Sequence, residues 1–484
     1  MSYGMYRHES MIKLEPLTRD ELYKVHVSAL EVLERTGVQI YEDEALRLLQ
    51  DAGCDVDLGS RRVKIPQHLV KEAVSKAPSI VCLCGRDKNH DMKLGCGRLY
   101  IRSSGGVPYF LDMETQQRRE GTKKEVAECT RVLDSLANIH SLLTPLFVPT
   151  DVPSKTMEVH GAEVALNNTV KHVVTEIFSK ERIRDVLDMG VAVAGSEQEL
   201  RRRPVISCLT QPVAPLQHNE LQTRILIEFA KLGLPLTIKS HPLSGLSSPV
   251  TLAGELVMTV AEILSSLTIA QLVNPKTPTI FGMSSSTVDM RAGINLSGAV
   301  EVGLLYAGVV QMARYYNIPS SGTSGIDSPL PDAQASIERI MTAMPEIMAG
   351  VDDIWLAAND LKHTFSLEQL LIDDAICANI GRLLAGIEVT DETLAVDLID
   401  EVGPGGNFLT KRHTQAHYRK EHLIPAIYTR STWDDWEKAG RKDICQRARE
   451  KAREIIRTHQ PPPLDKDIQN RLAEISKKAD RAVA

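Results

Sequence analysis

Aromatic residues are scarce in this chain, with 7 Phe, 3 Trp and 11 Tyr among 484 residues. Any aromatic wall around a ligand must be built from few rings, so each ring near a site carries weight. An excess of positive charge is also missing. Against 63 Asp and Glu stand 56 Lys and Arg, a formal charge of −7, which leaves no general basic surface of the kind that displaces counterions from nucleic acid. No apolar run reads as the roughly 20 residues needed to span a bilayer, and the opening MSYGMYRHESMIKLEPLTRDE lacks a continuous apolar core. These absences set the expectation of a cytoplasmic protein with neither nucleic acid nor membrane as partner. Cysteines are present but unorganised: Cys54, Cys82, Cys84, Cys96, Cys129, Cys208, Cys377 and Cys445 are scattered, which fits reduced thiols. Only Cys82 and Cys84 are close, and alternation in SIVCLCGRD puts both on one face of a strand, as buried small hydrophobes rather than as metal ligands. A Ser/His/Asp order, H-E-x-x-H, a Walker A loop and a zinc spacing are all lacking.

What is there begins with a helical preface over residues 17–85. In LTRDELYKVHVSALEVLERTGVQI, Thr18 and Glu21 fit a capping box, Val25, Ala29, Val32 and Leu33 form an apolar face, and Gly37 ends the helix. EDEALRLLQDAG stops at Gly53 in the same way, and Pro66 opens another amphipathic helix. From Tyr100 the pattern changes to short apolar runs alternating with long helical stretches. LYIRSSGG, SLLTPLFVP, KHVVTEIF, PVISCLTQP, LPLTIKSH, PTIFGMSS, IPSSGTSG and DDIWLAA read as eight strands. Their repeat predicts an α/β fold, a TIM (β/α)8 barrel with an N-terminal helical extension and C-terminal helices. The expected division is residues 1–97 for the extension, 98–390 for the barrel and 391–484 for a glycine-rich loop and packing helices. Several strands end in Ser, Thr, Gln, Lys or Gly, so polar groups gather at the carboxyl mouth where barrel enzymes place their chemistry.

Several segments resemble the trimethylamine methyltransferase family: LEVLERTGVQIYEDEALRLLQDAGCDVD, RVKIPQHLVKEAVSKAPSIVCLCGRD, SSGGVPYFLDMET, HPLSGLSSPVTLAGELV, FGMSSSTVDMRAG, DSPLPDAQ, FSLEQLLIDDAI and VGPGGNFL. The resemblance covers nearly the whole chain. It implies a barrel methyltransferase acting with a separate corrinoid protein, so that the cobalamin is carried by the partner and no metal is intrinsic. Founding members of the family carry pyrrolysine near the region matching GTSGIDSPLPDAQ, whereas this chain has only standard residues. That departure resembles the demethylases of quaternary amines such as glycine betaine, proline betaine or carnitine.

A quaternary ammonium leaves as a neutral tertiary amine, so no general acid is required, and the protein's task is alignment. A permanent cation is held by carboxylates and aromatic faces, and a carboxylate tail by cations or hydroxyls. Glu176 in VVTEIF is the first candidate for the carboxylate facing the cation, with a salt bridge to a neighbouring strand as the structural alternative. Asp327, in the region matching the pyrrolysine site, is the second catalytic candidate, because Asp332 beside it is accounted for as a helix cap. Substrate-binding candidates are Tyr100 and Tyr109 flanking the first strand, Gln211 and Lys239 at strand ends, Thr323, and His363 after the last strand. Gly105, Gly106, Gly405 and Gly406 allow close backbone approach and are the candidates for contact with a docked corrinoid ring, with tight turns as the alternative. The preface and the charged tail after Trp433 offer surfaces for a homo-oligomer. Two other functions remain open at this point: a Schiff-base aldolase using Lys239, and a scaffold that binds an amine or a corrinoid protein without turnover.

Overall fold

The computed structural model describes residues 6–7, 13–424 and 426–483. Eight strands form its centre: β1 (Arg98–Ser103), β2 (Ser141–Thr144), β3 (His172–Thr175), β4 (Ile206–Thr210), β5 (Leu236–Ser240), β6 (Thr279–Met283), β7 (Ser320–Ser324) and β8 (Asp353–Leu356). Each pairs in parallel with its neighbours in chain order. β8 returns to β1 in the register Asp353 with Tyr100 and Trp355 with Arg102, which closes the TIM barrel. All eight expected strands are present. Ile101, Leu142, Val173, Ile206, Ile238 and Ile354 supply apolar outward faces on β1 to β5 and β8, and the helices between the strands cover those faces as parallel strands require.

The long helix Leu252–Val273, between β5 and β6, is the one described helix long and apolar enough to cross a membrane, and 83% of its apolar window is buried inside the protein. It is a core helix, clamped against β5 and the preface.

The interior of the barrel is mixed. Leu143, Val174 and Leu209 cluster with Trp355, a contact among β2, β3, β4 and β8 that can be made only across the lumen. The register carries the same inward parity to Arg102, Lys239, Gly282, Ser321 and Asp353. Arg102 and Asp353 form a fully buried ion pair, and Ser321 donates to Asp353 Oδ2 at 2.9 Å. The amino-terminal end is stoppered by a hairpin of two strands, Val81–Leu83 and Met92–Leu94. Its side chains pack with Tyr100 and Ile280.

The preface forms as its sequence predicts: Thr18 and Glu21 make the capping box, Pro66 stands at a helix N-cap, and Gly53 follows a helix end at φ +91°. The cysteine expectation fails in one respect. Cys84 is buried but Cys82 is exposed, because the strand ends at Leu83 and the two side chains leave in different surroundings. At the other end of the chain, helices Ile444–Thr458 and Lys466–Arg481 lie against the barrel helices, fixed by Asp480 on His160 at 3.0 Å and His459 on Asp134 at 2.7 Å.

Candidate active site at the barrel mouth

Glu176 follows the last residue of β3 at the carboxyl mouth. Its side chain reaches back over the turn after β1. A Cβ on Gly106 would lie 2.1 Å from Glu176 Oε2, and Gly106 holds φ +69°. Only glycine fits both constraints, so two of the expected residues are brought together and one cradles the other. Gly105 is pressed on the backbone of β2, where a Cβ would come 2.3 Å from Leu143 O. Burial alone pushes the Glu176 carboxyl up to about 7. Among the described residues no cation pairs with it and no donor bonds to its oxygens, although the residue is half-exposed to the mouth.

The wall opposite is cationic. Lys239 on β5 points inward and crosses the face of β6, which it can do because β6 has Gly282 there. A Cβ on Gly282 would sit 3.0 Å from Lys239 Cγ and 3.2 Å from Cε. The lysine Nζ then donates to Gly322 O at 2.6 Å and to Thr323 Oγ1 at 2.8 Å, and lies 4.7 Å from the Trp355 ring centroid. Burial holds its pKa well below the ordinary lysine value. Behind β5, Glu262 on the core helix accepts from Ser240 Oγ at 2.5 Å and from Leu216 N at 2.7 Å, which pins the strand end that aims Lys239. Burial pushes that carboxyl up to about 7.

His241, two residues on from Lys239, keeps Nε2 buried without a partner. Burial, reinforced by the charges of Lys362 and Lys239, drives its pKa down to about 3, so the ring is neutral. Lys362 sits in the loop after β8 and donates to Ser284 O at 3.1 Å and Ser286 Oγ at 3.4 Å. Burial lowers its pKa to about 8. This lysine was missed in the sequence because the backbone that aims it is unusual: Asp360, Leu361 and Lys362 hold φ of +57°, +55° and +71° in succession. Such residues cost on the order of 1–3 kcal/mol each and persist where the surroundings enforce them. Arg118 on Asp360 at 2.6 Å and Asp360 N donating to Ser328 O at 2.9 Å do so here.

The other expected residues divide. Thr323 lines the lumen and donates to Met283 O at 3.1 Å while accepting from Lys239. Gln211 is half-exposed at the end of β4, with its backbone N bonded to Gln222 Oε1 at 3.1 Å. Tyr109 stands in the loop after β1 with the Arg118 guanidinium 4.5 Å from its ring centroid, so a protein cation covers one face. His363 is exposed, its Nδ1 2.8 Å from Asp360 O.

Tyr100 is not at the mouth. It lies in the floor cluster with its hydroxyl accepting from Lys93 N at 3.1 Å, because it stands near the beginning of β1. Asp327 ties down a loop: its Oδ1 accepts from Ser297 N at 2.6 Å, Gly298 N at 3.0 Å and Ser297 Oγ at 3.1 Å. Gly405 and Gly406 are exposed and touch no strand end. A Cβ on Gly405 would meet nothing within 4 Å, and one on Gly406 would meet its own helix at Val402 O. Among the described residues no group of three His, Cys, Asp or Glu is placed to hold a metal ion.

The sequence model of the trimethylamine methyltransferase (MTTB) family matches residues 4–483. The chain belongs to this family. It is 39% identical over 451 residues to trimethylamine methyltransferase MttB of Desulfitobacterium hafniense, covering 93% of this chain and 90% of that one. Against trimethylamine methyltransferase MttB of Methanosarcina barkeri it is 34% identical over 479 residues, with 97% and 96% covered. A glycine betaine methyltransferase of Desulfitobacterium hafniense is 28% identical over 463 residues, with 95% and 96% covered. The crystal structure of the Methanosarcina barkeri monomethylamine methyltransferase superposes with a TM-score of 0.55 over 94% of this chain and 90% of that one, at 12% identity, and shares the fold. The protein is therefore a methyltransferase, which sets aside the aldolase and the scaffold without turnover.

Proposed function

We propose that this methyltransferase takes a methyl group from a quaternary ammonium carrying a carboxylate, such as glycine betaine, proline betaine or carnitine, and passes it to a corrinoid held by a separate protein. One observation carries the reading: on the β3 side of the mouth the Glu176 carboxylate has neither cation nor donor among the described residues, and on the β5 to β8 side stand two amines, Lys239 and Lys362. A zwitterion meets both walls at once, whereas a simple amine would offer the two lysines no carboxylate. The glycine betaine methyltransferase among the relatives supports the same substrate class.

When bound, the reduced corrinoid supplies the nucleophile. The residues of this chain bind and aim. Glu176 faces the ammonium, with Gly106 behind it fixing where its oxygens lie. Lys362 and Lys239 face the carboxylate, and neutral His241 adds a ring nitrogen to the same wall. Held at both ends, the substrate presents one nitrogen-to-methyl bond along the barrel axis toward the open mouth. Orientation of this kind is worth several kcal/mol of barrier. The departing amine is neutral, so no side chain needs to deliver a proton.

The test is a screen of trimethylamine, glycine betaine, proline betaine, carnitine and choline with the enzyme and cob(I)alamin, read as methylated corrinoid by absorbance. At least one betaine should react, and trimethylamine and choline should not. Methylation from trimethylamine with none from any betaine would overturn the reading.

A further inference from the structure

Of the 3 tryptophans in the chain, Trp433 and Trp436 lie in the tail and only Trp355 belongs to the barrel. It stands on β8 between Thr323 of β7 and Arg102 of β1 in the register, with the inward parity of both. Its ring crosses the lumen to rest on Leu143, Val174 and Leu209 of β2, β3 and β4. Those three residues are 0%, 0% and 2% exposed, whereas Trp355 itself is half-buried. Because the hairpin stoppers the other end of the barrel, the bare part of the ring faces the mouth. Trp355 is therefore the floor of the mouth, laid over an apolar layer.

The floor passes beneath both walls of the site. Val174 is two residues before Glu176 and shares its parity, so the carboxylate stands one inward layer, roughly 6–7 Å, above a residue on which the ring rests. On the other side Lys239 Nζ lies 4.7 Å from the ring centroid. One indole thus spans the gap between the carboxylate and the amine. The inward residues of β6 and β7, Gly282, Ser321 and Thr323, are small and do not compete for that space. Nor does a hydrogen bond tie the ring, since Nε1 is buried without a partner. Packing and the lysine place it, so the size of the side chain at this position sets the depth of the site.

We infer that Trp355 determines specificity: it is a floor that admits compact betaines, with one carbon between nitrogen and carboxylate, and turns away longer ones such as carnitine. The floor has this role only if the substrate is the zwitterion proposed above. A betaine held by Glu176 at one end and by the lysines at the other must span a gap one indole long. With a single intervening carbon it lies flat over the ring. A chain of three carbons between the same walls must bow, upward or downward. Bowing upward turns the methyl aside from the approaching corrinoid and forfeits alignment. Bowing downward meets the indole.

The experiment compares glycine betaine with carnitine in methyl transfer to cob(I)alamin by wild type, Trp355→Phe and Trp355→Leu. Wild type should favour glycine betaine in kcat/KM by about tenfold or more. Trp355→Leu lowers the floor, so this preference should shrink by about tenfold or invert, mostly through a lower KM for carnitine, with Trp355→Phe in between. In a Trp433→Phe, Trp436→Phe background Trp355 is the sole indole, and its fluorescence should shift as glycine betaine is titrated in. If Trp355→Leu does not fold, Trp355→Phe and the fluorescence still decide. A wild type that prefers carnitine, a preference unaltered in folded Trp355 variants, or a silent indole while calorimetry shows glycine betaine binding would each overturn the proposal and leave the zwitterion standing. Methylation from trimethylamine with none from any betaine would instead remove the zwitterion, and the floor's role with it.

Discussion

At the amino-terminal end of the barrel, Tyr100 is packed among Val81, Leu83, Met92, Leu94 and Ile280, and its hydroxyl is bonded to the hairpin that closes the floor. At the carboxyl-terminal end, the Glu176 carboxyl, His241 Nε2 and Trp355 Nε1 have no protein partner. The same eight strands produce both ends. The difference teaches that one end is closed by apolar packing, whereas the other keeps polar groups in an open mouth where a bound molecule can partner them, since burial without a partner is a cost that a ligand can remove.

The comparison is broken most sharply by exchanging damage between the two ends. Glu176→Gln removes the charge proposed to face the ammonium and relieves a desolvated carboxylate, so kcat/KM for the betaine should drop by about 10²–10³-fold with a melting temperature equal to or above wild type. Tyr100→Leu should do the reverse, losing on the order of 2 kcal/mol of stability in urea while kcat/KM holds. Kinetics and denaturation on the two variants check this. If Glu176→Gln melts early, or Tyr100→Leu loses turnover while folded, the division between the ends fails.

The division also explains what could be read from the sequence. The barrel was legible because each strand is an apolar run between helical patterns, and burial of both sheet faces leaves no other use for such runs. The position of Glu176 at the mouth was legible because a carboxylate in VVTEIF stands where the strand must end. Tyr100 was read at the wrong end of its strand, although β1 runs from Arg98 to Ser103 and strand direction alone puts its first residues at the floor. Lys362 was not legible, since no propensity favours three successive non-glycine residues at positive φ. Nor was Gly282, whose role appears only once Lys239 is seen crossing it. Both depend on contacts between strands far apart in the chain, which local pattern does not encode.

A smaller intervention acts through the cradle. Gly106→Ala puts a methyl 2.1 Å from Glu176 Oε2 and must displace the carboxylate by an ångström or so, for which about 10–10²-fold in kcat/KM is expected. Because the charge remains, raising the pH should not restore the loss. Equal kinetics for Gly106→Ala and wild type would show that the position of the carboxylate is unimportant.

Lys362→Met tests the other wall. It should raise KM for a betaine by about tenfold and leave any turnover of tetramethylammonium unchanged, since that cation has no carboxylate to lose. An equal loss with both substrates would make Lys362 a structural support of its loop.

The smallest effect lies in the pH profile, a few-fold across the neutral range, and it compares the two walls in one curve. Burial raises the Glu176 pKa to about 7, so the carboxylate becomes neutral as pH falls below that value and the ammonium loses its counter-charge. Burial lowers the Lys362 pKa to about 8, so the amine becomes neutral as pH rises past that value and the substrate carboxylate loses its own. For a betaine, kcat/KM should therefore be bell-shaped, with an acid limb near 7 and a basic limb near 8, because that parameter reports the free enzyme. Glu176→Gln should erase the acid limb alone, and Lys362→Met the basic limb alone. A basic limb that survives in Lys362→Met would point to Lys239 as the amine that meets the carboxylate, since it is the other buried lysine on that wall.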